Sequence, residues 1–102
     1  MGYISIKIRM KQKFGNLTTT GKAICKDGVC LTAFDNQKQT EMTYKAMKKQ
    51  GKDVTLENGI IIERIEGATK EEIAEKIIQD IKNLSEKMKH LMEVKYSKKV
   101  VK

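Results

Sequence analysis

The chain of 102 residues contains no proline and no tryptophan, and aromatic residues make up only 5% of it. It also lacks internal repeats and low-complexity segments. A chain of this length can bury one modest core, and with so few aromatics that core must consist of isoleucine, leucine, valine and methionine. We expect one domain at residues 1–94, followed by a basic tail at residues 95–102.

The chain is also poor in the residues that catalytic and metal sites use. Its single histidine, His90, lies among lysines, which argues against a nucleophile–histidine hydrolase. Cys25 and Cys30 lack two further ligands for a structural zinc, and no Walker or Gly-x-Gly-x-x-Gly loop is present. We therefore predict a protein that is not an enzyme, with no metal, cofactor or small-molecule ligand.

Long apolar runs are missing as well. No stretch of 18 apolar residues occurs, so no membrane span is expected. The basic N-terminal segment alternates apolar and polar residues and forms no apolar block, which is unlike a signal peptide. We predict a cytoplasmic protein with no membrane partner.

Positive charge is plentiful, and it is unevenly placed. The net charge is +8, and residues 1–52 hold eleven basic and three acidic side chains, whereas residues 53–102 hold ten of each. This segregation favours a polyanionic partner, most commonly nucleic acid. Single-stranded and RNA ligands usually need exposed aromatics for base stacking, so the composition points to double-stranded DNA.

The first predicted element is a strand at residues 4–14, where apolar and polar residues alternate with a period of two. One face of this strand carries Lys7, Arg9, Lys11 and Lys13. These cations either contact phosphates or form the solvent-facing side of an edge strand, where lysines deter aggregation. The sequence leaves both interpretations open.

A loop or a frayed strand is expected at residues 15–22, followed by a hairpin at 22–34 around Asp27-Gly28 in a type I′ turn. A short helix ending before Gly28 is the alternative. In the hairpin Cys25 and Cys30 would lie opposite each other, and in a cytoplasm they would stay reduced.

A helix is predicted from the cap at Asp35 or Asn36 to about Gln50, with Gly51 as its stop. A second hairpin is predicted at residues 53–65. A loop of Asn58-Gly59 alone would place Val54 and Leu56 beside Ile61 and Glu63. A loop of residues 57–59 would place them beside Ile60 and Ile62, and this register is preferred because it gathers apolar residues on one face. The helix carries a row of cations on one side: Lys38, Lys45, Lys48, Lys49 and Lys52.

The last predicted element is a helix at about residues 69–95, which opens with a capping box of Thr69 and Glu72. Such a helix would be ~40 Å long, while a compact chain of this size has a radius of gyration of about 13 Å. Its apolar seam should therefore overhang the domain and form a homodimer. The interface residues would be Ile77, Ile81, Leu84, Met88 and Leu91.

The stretch EMTYKAMKKQGKDVTLENGIIIERIEG, residues 41–67, resembles the recognition helix and wing of winged helix-turn-helix proteins. The resemblance implies an α+β fold in which a small antiparallel sheet accompanies a basic helix, a β-hairpin wing and a long C-terminal helix. It implies a sequence-specific, dimeric DNA-binding protein, such as a transcription, plasmid-transfer or replication accessory factor. A small protein-binding module or inhibitor encoded by a phage or plasmid is the alternative. Residues expected at the DNA are Lys38, Thr43, Lys45, Lys48, Lys49, Lys52, Asn58 and Arg64, with Lys7, Arg9, Lys11 and Lys13 as further contacts.

Overall fold

The computed structural model describes residues 2–102 and shows an antiparallel sheet of six strands with two helices. In chain order the elements are β1 (Tyr3–Gln12), β2 (Thr18–Lys26), β3 (Val29–Phe34), α1 (Gln37–Lys49), β4 (Val54–Glu57), β5 (Ile60–Arg64), α2 (Lys70–Met88) and β6 (Met92–Val101). The α+β class is as expected. The winged-helix-like architecture is wrong, because the supposed wing is part of the main sheet: β5 pairs with β3.

The strands lie in the order β4-β5-β3-β2-β1-β6, and both helices cover the same face of the sheet. Helix α2 packs on β6, β1, β2 and β3, while α1 packs on β3, β4 and β5. The opposite face of the sheet is covered by no element of residues 2–102. Within these residues, neither helix has the length and apolar character needed to cross a membrane.

The alternation predicted for the first strand is confirmed. Ile4, Ile6, Ile8 and Met10 are at most 2% exposed and face the helices, so the core is aliphatic as expected. The odd-numbered residues of β1 face the uncovered side. Strand β1 is not an edge strand, however, because β6 pairs along its whole length.

The hairpin at Asp27-Gly28 is confirmed, and the alternative helix is excluded. Residues 15–22 were expected to be a loop or a frayed strand, and the structure has a loop up to Leu17 and then β2, which starts at Thr18. Only Gly28 of the two turn residues has a positive φ, of 80°, so the turn is not type I′. Asp27 accepts a hydrogen bond through Oδ1 from the backbone N–H of Lys70 (3.0 Å), which ties the turn to the start of α2.

Helix α1 has the predicted bounds. Asn36 caps it and accepts hydrogen bonds from the backbone N–H groups of Lys38 and Gln39. Asp35, the other candidate cap, instead accepts from the backbone N–H and hydroxyl of Thr20. Gly51 ends the helix with a φ of 79°.

The preferred register of the second hairpin is wrong. Its loop is Asn58-Gly59 alone, both residues having positive φ (52° and 75°), and Glu57 pairs with Ile60. A two-residue turn of this kind suits the twist of the flanking strands. Consequently Ile61 and Glu63 enter the core, while Ile60 and Ile62 face the uncovered side.

The long final helix is also wrong. Thr69 and Glu72 form the predicted capping box, but α2 ends at Met88, and residues 92–101 form β6. The basic tail assigned to residues 95–102 therefore belongs largely to a strand, and the boundary at residue 94 falls inside it. Met92, Val94 and Tyr96 alternate with polar residues, a period of two that favours a strand.

The apolar seam of α2 packs on the protein's own sheet. Ile77 and Ile81 are 3% and 7% exposed, and Leu84 is partly buried against the same core. Met88 is half-buried, and Leu91 lies beyond the helix. The overhang that motivated a dimer along this seam does not exist, because a six-stranded sheet is broad enough to cover the helix. A homodimer remains a prediction without an assigned interface.

Two neighbouring carboxyl groups, one buried on β5 and one half-buried on α2, each have an oxygen without a hydrogen-bond partner. Glu63 on β5 is 2% exposed, and its Oε2 atom and Oδ2 of Asp80 on α2 have no hydrogen-bond partner. Burial, reinforced by the charge of Asp80, raises the pKa of Glu63. Burial likewise raises the pKa of Asp80, although Lys52 opposes the shift by forming an ion pair of 3.2 Å.

We expect Glu63→Gln to stabilise the protein at pH 7 by about 1 kcal/mol, or roughly 4–8 °C in Tm. The folded state binds more protons than the unfolded state between the ordinary and the raised pKa, so the free energy of unfolding falls as pH rises through that window. Thermal unfolding of both proteins from about pH 4 to pH 8 should show their Tm values converging at the acidic end. Glu57→Gln, at an exposed position on β4, serves as the control. If Glu63→Gln is less stable than the parent at pH 7, burial is not the largest effect of the Glu63 carboxyl group on stability.

Candidate nucleic-acid interface

The two predicted rows of cations lie on opposite sides of the molecule. Lys7, Arg9 and Lys11 project from β1 on the uncovered side of the sheet. Lys38, Lys45, Lys48 and Lys49 are exposed on α1, which lies on the other side. One flat ligand cannot touch both rows, so each row has to be judged separately.

Most of the net positive charge of the protein lies on the uncovered side of the sheet. Strand pairing brings basic residues of β2, β5 and β6 to the side that β1 presents. We call this set the basic face: Lys7, Arg9, Lys11, Lys22, Lys26, Arg64, Lys95 and Lys99. Glu57 and Glu93 are the strand carboxylates on the same side. With Asp35, which adjoins β3 and borders the same side, eight cations thus face three carboxylates, whereas the rest of the chain carries thirteen basic and ten acidic residues.

Like charges stand directly opposite each other at the centre of the basic face. Lys7 pairs with Lys22 across β1 and β2, and Arg9 pairs with Lys95 across β1 and β6. Such pairs destabilise a sheet. Among the described residues, the only ion pair made by the basic face joins Lys95 to Glu93, at 3.2 Å. The repulsion is therefore left largely uncompensated within the protein.

A shallow depression of about 650 Å³ lies at this centre. Most of its lining surface is apolar, but it also contains cations and hydroxyls, from which phosphate oxygens can accept hydrogen bonds. The Thr20 hydroxyl already donates to Asp35, 3.0 Å away, whose carboxylate forms an acidic part of the rim. The polar residues lining the depression are Lys7, Arg9, Thr20, Lys22, Asp35, Lys95 and Ser97.

The other half of the uncovered side is apolar. Ile24, Leu31 and Ile62 lie side by side on β2, β3 and β5. Leu31 is 41% exposed, and Ile60, nearer the end of β5, is 38% exposed. The apolar half results from the two-residue turn at Asn58-Gly59, which turns Ile60 and Ile62 outward.

Several residues predicted on α1 are engaged within the protein. Lys52 forms its ion pair with Asp80, and Lys48 donates a hydrogen bond to the Tyr44 hydroxyl (3.1 Å). Thr43 donates to the Gln39 carbonyl and lines a cleft of about 120 Å³ between the helices, away from the exposed lysines. Lys38, Lys45 and Lys49 are exposed on α1 and make no such contact, so only part of the predicted row is engaged.

Asn58 and Arg64, the proposed base-reading pair, lie at opposite ends of β5. Asn58 is exposed in the turn before the strand. Arg64 belongs to the basic face and donates to the Thr55 hydroxyl at 3.1 Å. Lys13 lies in the exposed β1–β2 loop.

Four residues of the basic face are not among those predicted from the sequence: Lys22, Lys26, Lys95 and Lys99. Those of β6 were missed because the segment was assigned to a helix and tail. Its alternation from Met92 to Ser97 is the signal that could have identified a strand.

Comparison with known proteins does not place the chain in a family. No protein-family model matches it, and neither the curated proteins nor the solved structures gave a match. The resemblance of residues 41–67 to winged helix-turn-helix proteins rests on that motif alone.

The two cysteines are free thiols in the core beneath the basic face. They lie opposite each other on β2 and β3, both fully buried, with their Sγ atoms 2.7 Å apart. The hydrogen bond with Cys25, followed by burial, raises the pKa of the Cys30 thiol. A protonated, buried thiol is a poor nucleophile.

We expect native Cys25 and Cys30 to react with iodoacetamide at least roughly 100-fold more slowly than in the unfolded chain, because exposure requires opening of the core. Mass spectrometry of native and guanidinium-unfolded samples measures both rates. Rapid labelling of the native protein would show that β2 and β3 open readily.

Proposed function

We propose that this protein binds double-stranded DNA, without catalysis, through contacts between the basic face and the phosphate backbone. The proposal is carried by the surplus of five positive charges on one side of the sheet, eight cations against Glu57, Glu93 and Asp35, with the cations held on ordered strands. Phosphates would neutralise the opposed pairs Lys7–Lys22 and Arg9–Lys95, of whose four cations only Lys95 has an ion-pair partner, Glu93, among the described residues. DNA binding of this kind releases counterions and is strongly salt-dependent.

The composition of the basic face favours backbone contacts over base reading. Six of its eight cations are lysines, which act as point charges, whereas bidentate recognition of guanine uses arginine. No aromatic side chain lies at the centre of the face, and Tyr3 stands at the end of β1. Stacking of single-stranded bases on the sheet is therefore disfavoured.

The apolar half of the uncovered side supports a second candidate function. An acidic protein could place apolar residues on Leu31 and Ile62 and carboxylates on the neighbouring lysines. This corresponds to a protein-binding module or inhibitor. Such an interface would bury apolar area and respond less to salt than a phosphate contact does.

The first test compares charge removal on the two sides of the molecule. The triple variant Lys7→Gln, Arg9→Gln, Lys22→Gln should lower duplex affinity and reduce the slope of log affinity against log salt by about 2.7, from about −5 if the parent neutralises ~6 phosphates. The matched triple variant Lys45→Gln, Lys48→Gln, Lys49→Gln on α1 should keep nearly the parent slope. Fluorescence anisotropy with a short duplex across a salt series measures both.

Thermal unfolding is the control for this comparison. The sheet variant should melt no lower than the parent, because it removes the repulsion between Lys7 and Lys22. If the two triple variants lose duplex affinity and salt slope equally, binding does not take place mainly through the basic face. Absence of binding to any duplex at low salt would refute the proposed function and favour the protein-binding alternative.

A further inference from the structure

The loop between β1 and β2, residues 13–17, exposes two large apolar side chains. Phe14 is 81% exposed and Leu17 is 70% exposed, more than any other large apolar side chain of residues 2–102. Lys11 and Lys13 lie just before Phe14 in the sequence. The exposed apolar end of the loop, which we call the tip, therefore follows directly on the row of cations of β1. A large exposed apolar group beside cations indicates a contact with an anionic partner that also offers an apolar surface.

The loop is anchored at its base. The backbone N–H of Gln12 donates to the Leu17 carbonyl at 3.2 Å. The backbone N–H of Lys13 donates to the carbonyl of Leu91, at 3.0 Å, in the connection between α2 and β6. Gly15 has a φ of 139°, which a side chain would strain, and this allows the chain to reverse between the two apolar residues. Because these contacts already order the loop in the free protein, part of the entropic cost of fixing the tip arises on folding and not on binding.

We propose that Phe14 is a wedge that enters the base stack of duplex DNA from the minor groove and bends the duplex. This inference rests on the proposed function. A duplex offers both surfaces that the tip requires, since phosphates lie on either side of an apolar base stack. Apolar wedges beside cations insert between base pairs in this manner, and flexible steps such as TA yield most easily. The cations of β1 hold the flanking backbone while Phe14 opens one step.

The test uses the full chain and a duplex with a central TA step in which 2-aminopurine replaces the adenine, and dyes at the two ends report bending. The parent should raise 2-aminopurine fluorescence and bring the ends closer. Phe14→Ala should abolish both changes and weaken binding about tenfold, while leaving the salt slope unchanged because no charge is removed. Phe14→Trp should preserve the bend.

Val100→Ala is the matched control, because Val100 is 50% exposed at the other end of the sheet, opposite Ile4. This variant should bind and bend DNA like the parent. Phe14 is exposed, so its replacement should leave the Tm unchanged, which thermal unfolding verifies. A Phe14→Ala variant that still bends the duplex, or a parent that binds with no change in either signal, would overturn the wedge and leave the proposed function standing. A parent that binds no duplex would overturn the proposed function itself.

Discussion

The pairing of β6 with β1 is the contact on which the rest of the structure depends. It runs from Tyr3 opposite Val101 to Gln12 opposite Met92, and it makes β1 an interior strand. Because β6 must begin beside Gln12, α2 has to end at Met88 and lie back across the sheet, which buries Ile77 and Ile81. The same pairing places Lys95 opposite Arg9, so it completes both the core and the basic face.

Features set by neighbouring residues could be predicted from the sequence. The alternation of β1, the hairpin at Asp27-Gly28, the Asn36 cap and the capping box of Thr69 and Glu72 each depend on a few adjacent residues. The end of α2 could not be predicted in this way, since the heptad spacing continues through Leu91. Only the distant partner β1 makes a strand of residues 92–101 more favourable than further helix. Long-range pairing overrides local periodicity here.

The candidate site shows the same limit. The positive charge of β1 was apparent from its odd-numbered residues. Its neighbours Lys22 and Lys95 lie opposite Lys7 and Arg9, from which they are 15 and 86 residues away in the sequence, and they meet them only through strand register. The lysines of α1 looked equivalent in the sequence. The structure separates them from β1, because a helix packed on one face of a sheet cannot share a surface with the other face.

The register of β4 and β5 links the core to the uncovered side. A pairing shifted by one residue would bury Ile60 and Ile62 and expose Glu63. The hydrophobic pattern alone favours this shifted pairing. The observed turn at Asn58-Gly59 does the reverse: it leaves a carboxylate in the core with a raised pKa and an isoleucine 38% exposed. Side chains placed against the hydrophobic pattern in this way are typical of functional sites. Like the opposed cations of β1 and its neighbours, this register, which buries Glu63 and exposes Ile60, is unfavourable for the stability of the isolated chain.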